Sequence, residues 1–116
     1  MQKVGQPPIK CVIDIVKKYY GKKPMAVASS GIREHVLESL RINNLEMYFD
    51  HVVTAEDVQN SKPDPEIFLL AATKIGCNPK YCRGFEDGDV GLQALRAAGM
   101  EVIDVKLFDG YPRRGI

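Results

Sequence analysis

The chain has 116 residues, 45% of them hydrophobic and 27% charged, an ordinary composition for one globular domain that leaves no room for a second. Sixteen basic residues against fifteen acidic ones give a formal charge of +1, so no field of one sign exists to hold nucleic acid or an anionic membrane surface. No apolar run approaches the ~20 residues that cross a bilayer, and no signal-peptide layout opens the chain. A cytoplasmic protein is expected, and Cys11, Cys77 and Cys82, odd in number and without zinc-site spacing, fit a reducing compartment and read as buried thiols.

Residues 1–8 are polar and end in Pro7-Pro8, which suits an extended lead-in. Ile9, Val12, Ile13, Val16 and Tyr20 recur at helical spacing and Gly21 follows as a C-terminal cap, so a first amphipathic helix is expected over 9–20. Met25-Ala26-Val27-Ala28 reads as a buried strand, Ser29-Ser30-Gly31 as a tight turn, and Ile32, Val36, Leu37 and Leu40 as a second helix. His51 to Thr54 is a second strand, 55–63 a loop, and Pro65 opens a helix that carries Phe68, Leu69, Ala72 and Ile75 and closes at Gly76. A strand at Tyr81 to Phe85, a helix over 90–98 closed by Gly99, and a strand at Glu101 to Val105 complete the pattern, with 107–116 left as a C-terminal tail. Strands alternating with helices imply parallel pairing through right-handed crossovers.

In such a sheet a ligand sits at the carboxyl ends of the strands, and three of these junctions carry chemistry. Ser29 and Ser30 place hydroxyls and backbone N–H groups where a helix begins, a setting that favours phosphate. Taken alone, Ser29 or Ser30 is better read as an N-cap. Lys62, in Ser61-Lys62-Pro63-Asp64-Pro65, is a cation on a proline-stiffened loop, able to meet a phosphoryl oxygen or a carboxylate, although a lysine before proline is usually solvated. Glu86-Asp87 directly after an apolar strand offers the hard oxygen ligands that suit Mg²⁺. Asp87 or Asp89 could instead cap the next helix, which would leave Glu86 without a role.

In order and spacing these segments resemble the haloacid dehalogenase-like superfamily, and within it the group of β-phosphoglucomutase and fructose-1-phosphate phosphatase. Met25 to Ser30 resembles the second motif of that family, Ser61 to Phe68 the third, and Phe85 to Ala94 the fourth, and the likeness runs over about 4–106. It implies a three-layer Rossmann-like parallel sheet over 9–106. It also implies that Ser29, with Ser30, binds the transferring phosphoryl group, that Lys62 neutralises it and orients the nucleophile, and that Glu86 and Asp87 hold Mg²⁺. The substrate class would be a small phosphorylated sugar.

The first motif, with an aspartate nucleophile and an aspartate acid/base two residues on, has no counterpart. Asp14 in Ile13-Asp14-Ile15-Val16 lacks the second aspartate, and Asp104 after Val102-Ile103 lacks a partner. The helical cap is missing too, so the chain reads as a core fragment that lacks the first, central strand. Covalent phosphoryl transfer needs a nucleophile, and the chain alone is expected to be inactive. The gap would be closed by direct pairing of the strands ending at Ala28 and Phe85, by a homo-oligomer or strand-exchanged dimer, or by a second polypeptide. The competing reading is a non-catalytic interaction module that associates through its strands. Arg83-Gly84 departs from the bulky apolar pair usual before Phe-Glu-Asp, and points to an altered or partly exposed strand.

Overall fold

The computed structural model describes residues 10–108. The lead-in expected over 1–8 lies outside them, and of the tail expected over 107–116 only Leu107, in a 3₁₀ turn, and Phe108 lie within. Helix α1 spans Lys10–Tyr19, strand β1 Ala26–Ser29, helix α2 Arg33–Ile42, strand β2 His51–Thr54, helix α3 Glu66–Lys74, strand β3 Arg83–Glu86, helix α4 Asp89–Ala97 and strand β4 Glu101–Asp104. Short 3₁₀ turns sit at Glu46–Tyr48, Ala55–Asp57, Pro79–Tyr81 and Val105–Leu107. The glycines expected to end helices do so in the left-handed region, with φ of 76° at Gly21, 69° at Gly76 and 77° at Gly99.

Layering follows from the alternation of side chains along the strands. Val27 of β1 packs with Val36, Leu40 and Leu45, against which Ile13 and Val52 lie, so α1 and α2 cover one face. Ala28 and Val53, the next residue on each strand, pack instead with Ile67, Phe68, Ala71 and Leu95, so α3 and α4 cover the other. The result is the three-layer α/β arrangement, with every strand pairing parallel.

The strands nevertheless form two sheets. β1 pairs only with β2 and β3 only with β4 among the described residues. Direct pairing of β1 with β3, one of the three ways to close the gap, is therefore not what the molecule does. A cavity of about 520 Å³ lies between them, lined by Ala26 and Ala28 of β1, Gly84 and Phe85 of β3, Val16 of α1 and Phe68 of α3. This apolar slot is where a central strand of a continuous sheet would run.

The unusual pair at the start of β3 has a local explanation. Arg83 stays exposed and its Nε donates to Glu101 Oε1 at 2.9 Å, a cross-strand contact between register partners. Both side chains are about half exposed, so the pair is worth no more than about 1 kcal/mol. Gly84 is required by close packing: a Cβ there would run into the Leu95 side chain, and Leu95 is fully buried.

Candidate phosphate and metal site

The last residues of the strands lie in register, Ser29 beside Thr54 and Glu86 beside Asp104. The loop after β2 carries Lys62 to the end of β3, where Nζ meets Glu86 Oε2 at 3.2 Å. The Lys62–Glu86 contact thus joins the loop at the carboxyl end of β2 to the carboxyl end of β3.

Glu86 is the centre of this edge. It is 3% exposed, and a carboxylate taken that far from water needs partners. Oε1 accepts the backbone N–H groups of Asp87 at 3.0 Å and Gly88 at 3.3 Å, and Oε2 accepts from Lys62. Space for the carboxylate comes from Gly91, since a Cβ at that position of α4 would collide with it. Lys62 is itself nearly buried and lies 4.9 Å above the Phe68 ring, a contact that attracts a desolvated cation. The Lys62-Pro63 peptide is cis.

Ser29 is buried, and its Oγ accepts the Gly31 N–H at 3.2 Å, which leaves its O–H to donate. Ser30 is exposed. Neither serine caps α2: the N-cap is Ile32, with no side-chain cap, and the Arg33 N–H is met by Glu56 Oε1 at 3.0 Å from the loop after β2. The capping alternative fails at the other junction as well, where the N-cap of α4 is Gly88 and no side chain caps it.

Two supporting groups carried no signal in the sequence. Lys106 donates to the Asp87 carbonyl at 2.8 Å and pairs with Asp104 Oδ1 at 3.1 Å, tying the end of β4 to the Glu86-Asp87 turn. Asp104, whose segment offers no second aspartate, is thus an anchor for Lys106. Glu66 gathers the loop that presents Lys62: its Oε2 accepts the Gln59 N–H at 3.1 Å and its Oε1 the Asn60 N–H at 2.9 Å.

The chain matches the family model of haloacid dehalogenase-like hydrolases over residues 6–105. It belongs to that family. Among curated relatives it is 46% identical over 99 residues to fructose-1-phosphate phosphatase YqaB of Escherichia coli, covering 83% of this chain and 51% of that protein. It is 38% identical to a phosphorylated carbohydrates phosphatase of Thermotoga maritima, covering 84% of this chain and 44% of the relative. The crystal structure of β-phosphoglucomutase from Clostridium difficile superposes with a TM-score of 0.71 at 28% identity, over 84% of this chain and 42% of that one. This haloacid dehalogenase-like chain therefore spans about half the length of the curated relatives it matches.

In this family member Glu66 holds the loop two residues ahead of Lys62, and its pKa is lowered from 4.5 chiefly by the backbone N–H groups of Gln59 and Asn60. A carboxylate with a depressed folded pKa gives stability that is present above the unfolded value and is lost as pH falls through the folded one. The acid side of the unfolding curve is expected to be shallower in Glu66→Gln. Urea midpoints measured from neutral pH down to below pH 4.5 should converge for the two proteins as pH falls, whereas a constant offset would remove Glu66 from the account.

Proposed function

We infer that the chain is the phosphate- and Mg²⁺-binding half of a phosphoryl-transfer site for small sugar phosphates, and that it needs an aspartate nucleophile carried by residues outside it. The observation that carries this reading is the buried Lys62–Glu86 pair at the sheet edge, adjacent to Asp87 and at the same strand ends as Ser29. Phosphoryl transfer is mostly positioning and neutralisation of oxygen charge, which is work for these groups. Ser29 donates its O–H to a phosphoryl oxygen. Lys62 offers positive charge to a second oxygen while Glu86 holds its ammonium in place.

The donor set suits Mg²⁺, which takes one or two protein carboxylates and fills its remaining positions with water and substrate oxygens. Glu86 Oε1 already accepts two N–H groups, so Asp87 is the principal ligand and Glu86 contributes at most through Oε2. No group of three or more acidic, histidine or cysteine side chains gathers among the described residues. When bound, the ion would neutralise phosphate charge. The sugar-phosphate assignment rests on the relatives named as phosphatases of fructose 1-phosphate and of phosphorylated carbohydrates.

Titration of the folded chain with Mg²⁺ and then inorganic phosphate, followed by backbone amide NMR shifts, tests this reading. Saturable shifts are expected at residues 29–31 and 86–88, with the Mg²⁺ shifts lost in Asp87→Asn and the phosphate shifts weakened in Ser29→Ala. Shifts that are linear in ligand, or unchanged by either substitution, would remove the site.

A second reading, association through strands, is supported by the apolar slot between β1 and β3. An extended segment of a second copy or another polypeptide would bury its side chains there and join the two sheets. Sedimentation over a range of concentrations is expected to show a mass that rises with concentration, and a constant monomer mass would exclude self-association.

A further inference from the structure

Cys77 and Cys82 lie on the opposite side of β3 from Glu86 in sequence, away from the phosphate edge, and only Cys82 is buried, so the expectation of three buried thiols does not hold. The chain between them is folded back tightly. Gly76, at φ 69°, ends α3, and the Cys77 N–H returns to the Ala72 carbonyl at 2.9 Å while the Gly76 N–H reaches Thr73 at 3.1 Å, the paired closure of a left-handed helix end. Asn78 then caps the turn at Pro79–Tyr81, its side chain accepting the Lys80 N–H. The Cys82 N–H closes onto the Pro79 carbonyl at 3.0 Å, and the Cys82 carbonyl accepts the Glu101 N–H at 3.0 Å. Both cysteine backbones are held by these bonds.

The two thiols converge on one acceptor. Cys77 Sγ lies 3.5 Å and Cys82 Sγ 3.4 Å from the carbonyl oxygen of Asn78, and both residues line the slot between the sheets. Burial pushes the Cys82 thiol up to about 12, and a hydrogen bond with Cys77 and the charge Cys77 would carry add to the rise.

We propose that Cys77 and Cys82 form a site of reversible intramolecular disulfide formation, with Cys77 as the attacking thiol and Cys82 as the resolving one. Accessibility sets that order, since Cys77 is half-buried and Cys82 buried and the thiolate is the reactive form. With a small-molecule disulfide as oxidant, the Cys77 thiolate attacks one sulfur and expels the other half as a thiolate, leaving a mixed disulfide. Burial still opposes ionisation of Cys82, but capping Cys77 removes the smaller part that its charge adds. Cys82 then loses its proton and attacks Cys77 Sγ, expelling the second thiolate. Two protein thiols and one disulfide become one protein disulfide and two small thiols, so atoms and electrons balance. The bridge would fasten the end of α3 to the start of β3 at the base of the slot.

Exposure of the folded chain to oxidised glutathione, followed by alkylation of remaining thiols and peptide mass mapping, tests the proposal. The expected product is a monomer with a Cys77–Cys82 link and Cys11 still free, reversed by a dithiol reductant. The link should persist in Cys11→Ser and be absent in Cys77→Ser, a substitution at a half-buried position that leaves the core intact. A stable glutathione adduct on Cys77 beside an alkylatable Cys82, a link to Cys11, bridges only between chains, or three free thiols after oxidation would each overturn it.

Discussion

Lys62→Met is expected to destabilise the chain by about 3 kcal/mol, the lower end of the range for removing one member of a buried ion pair. Methionine keeps most of the lysine stem, so the loss is electrical. Glu86, 3% exposed, would keep its two backbone N–H donors but lose the one cation it contacts among the described residues, and the ring contact with Phe68 would go as well. The double variant Lys62→Met/Glu86→Gln should recover most of the loss, because neither charge is then left buried alone. Denaturant unfolding of the two single variants and the double completes the cycle. If the single variants lose less than about 1 kcal/mol, Lys62 and Glu86 behave as a solvated surface pair, and the pre-formed site is wrong.

Gly91→Ala is the second large effect. Alanine at a helical position is ordinarily favoured over glycine by up to about 1 kcal/mol, so local propensity predicts a gain. The structure predicts the reverse, because the new methyl would occupy the place of the Glu86 carboxylate. A free glutamate would swing aside at little cost, but this one is fixed by Asp87, Gly88 and Lys62. A net destabilisation of about 1–3 kcal/mol is expected from overpacking, together with weakened phosphate-induced shifts at residues 86–88. A more stable Gly91→Ala protein with unchanged shifts would show that the carboxylate cradle is loose.

The helices and β2 were legible in the sequence because their apolar spacing and terminal glycines agree with the tertiary result. β2 falls at His51–Thr54 as read, and α2, α3 and α4 each lie within two residues of their expected bounds. The boundaries that moved have local chemical causes. Tyr81 and Cys82 read as strand by their apolar character, yet Asn78 caps a 3₁₀ turn through that stretch and β3 begins at Arg83. Ser29 reads as turn, but its register pairing with Thr54 extends β1 by one residue. What could not be read locally is the pairing that builds the site. Lys62 and Glu86 are 24 residues apart, the helix cap expected from Ser29 or Ser30 is replaced by Glu56 reaching across 23 residues, and Lys106 enters from beyond β4. The motif order placed Ser29, Lys62, Glu86 and Asp87 as candidates by resemblance; the buried carboxylate and the glycine that makes room for it needed coordinates.

Separate sheets sharpen the meaning of the chain's length. Apolar clusters pack on both faces of β1 and β2, so the described residues hold a core without a strand between β1 and β3. In its place is a slot of about 520 Å³ between two parallel pairs, flanked at its carboxyl end by Ser29 and Glu86. A strand entering that slot in the parallel sense would bring its last residues to the edge that holds Ser29 and Glu86, where the proposed reaction would need its nucleophile.

Turnover of sugar phosphates in the presence of Mg²⁺, measured for the purified chain alone and together with a second polypeptide bearing an apolar strand that ends in Asp-x-Asp, tests the central claim most directly. The account predicts no turnover by the chain alone, and turnover in the mixture that disappears when Asp87→Asn replaces the wild type. Turnover by the 116-residue chain without the second polypeptide, retained through purification and abolished by Asp87→Asn, would contradict it.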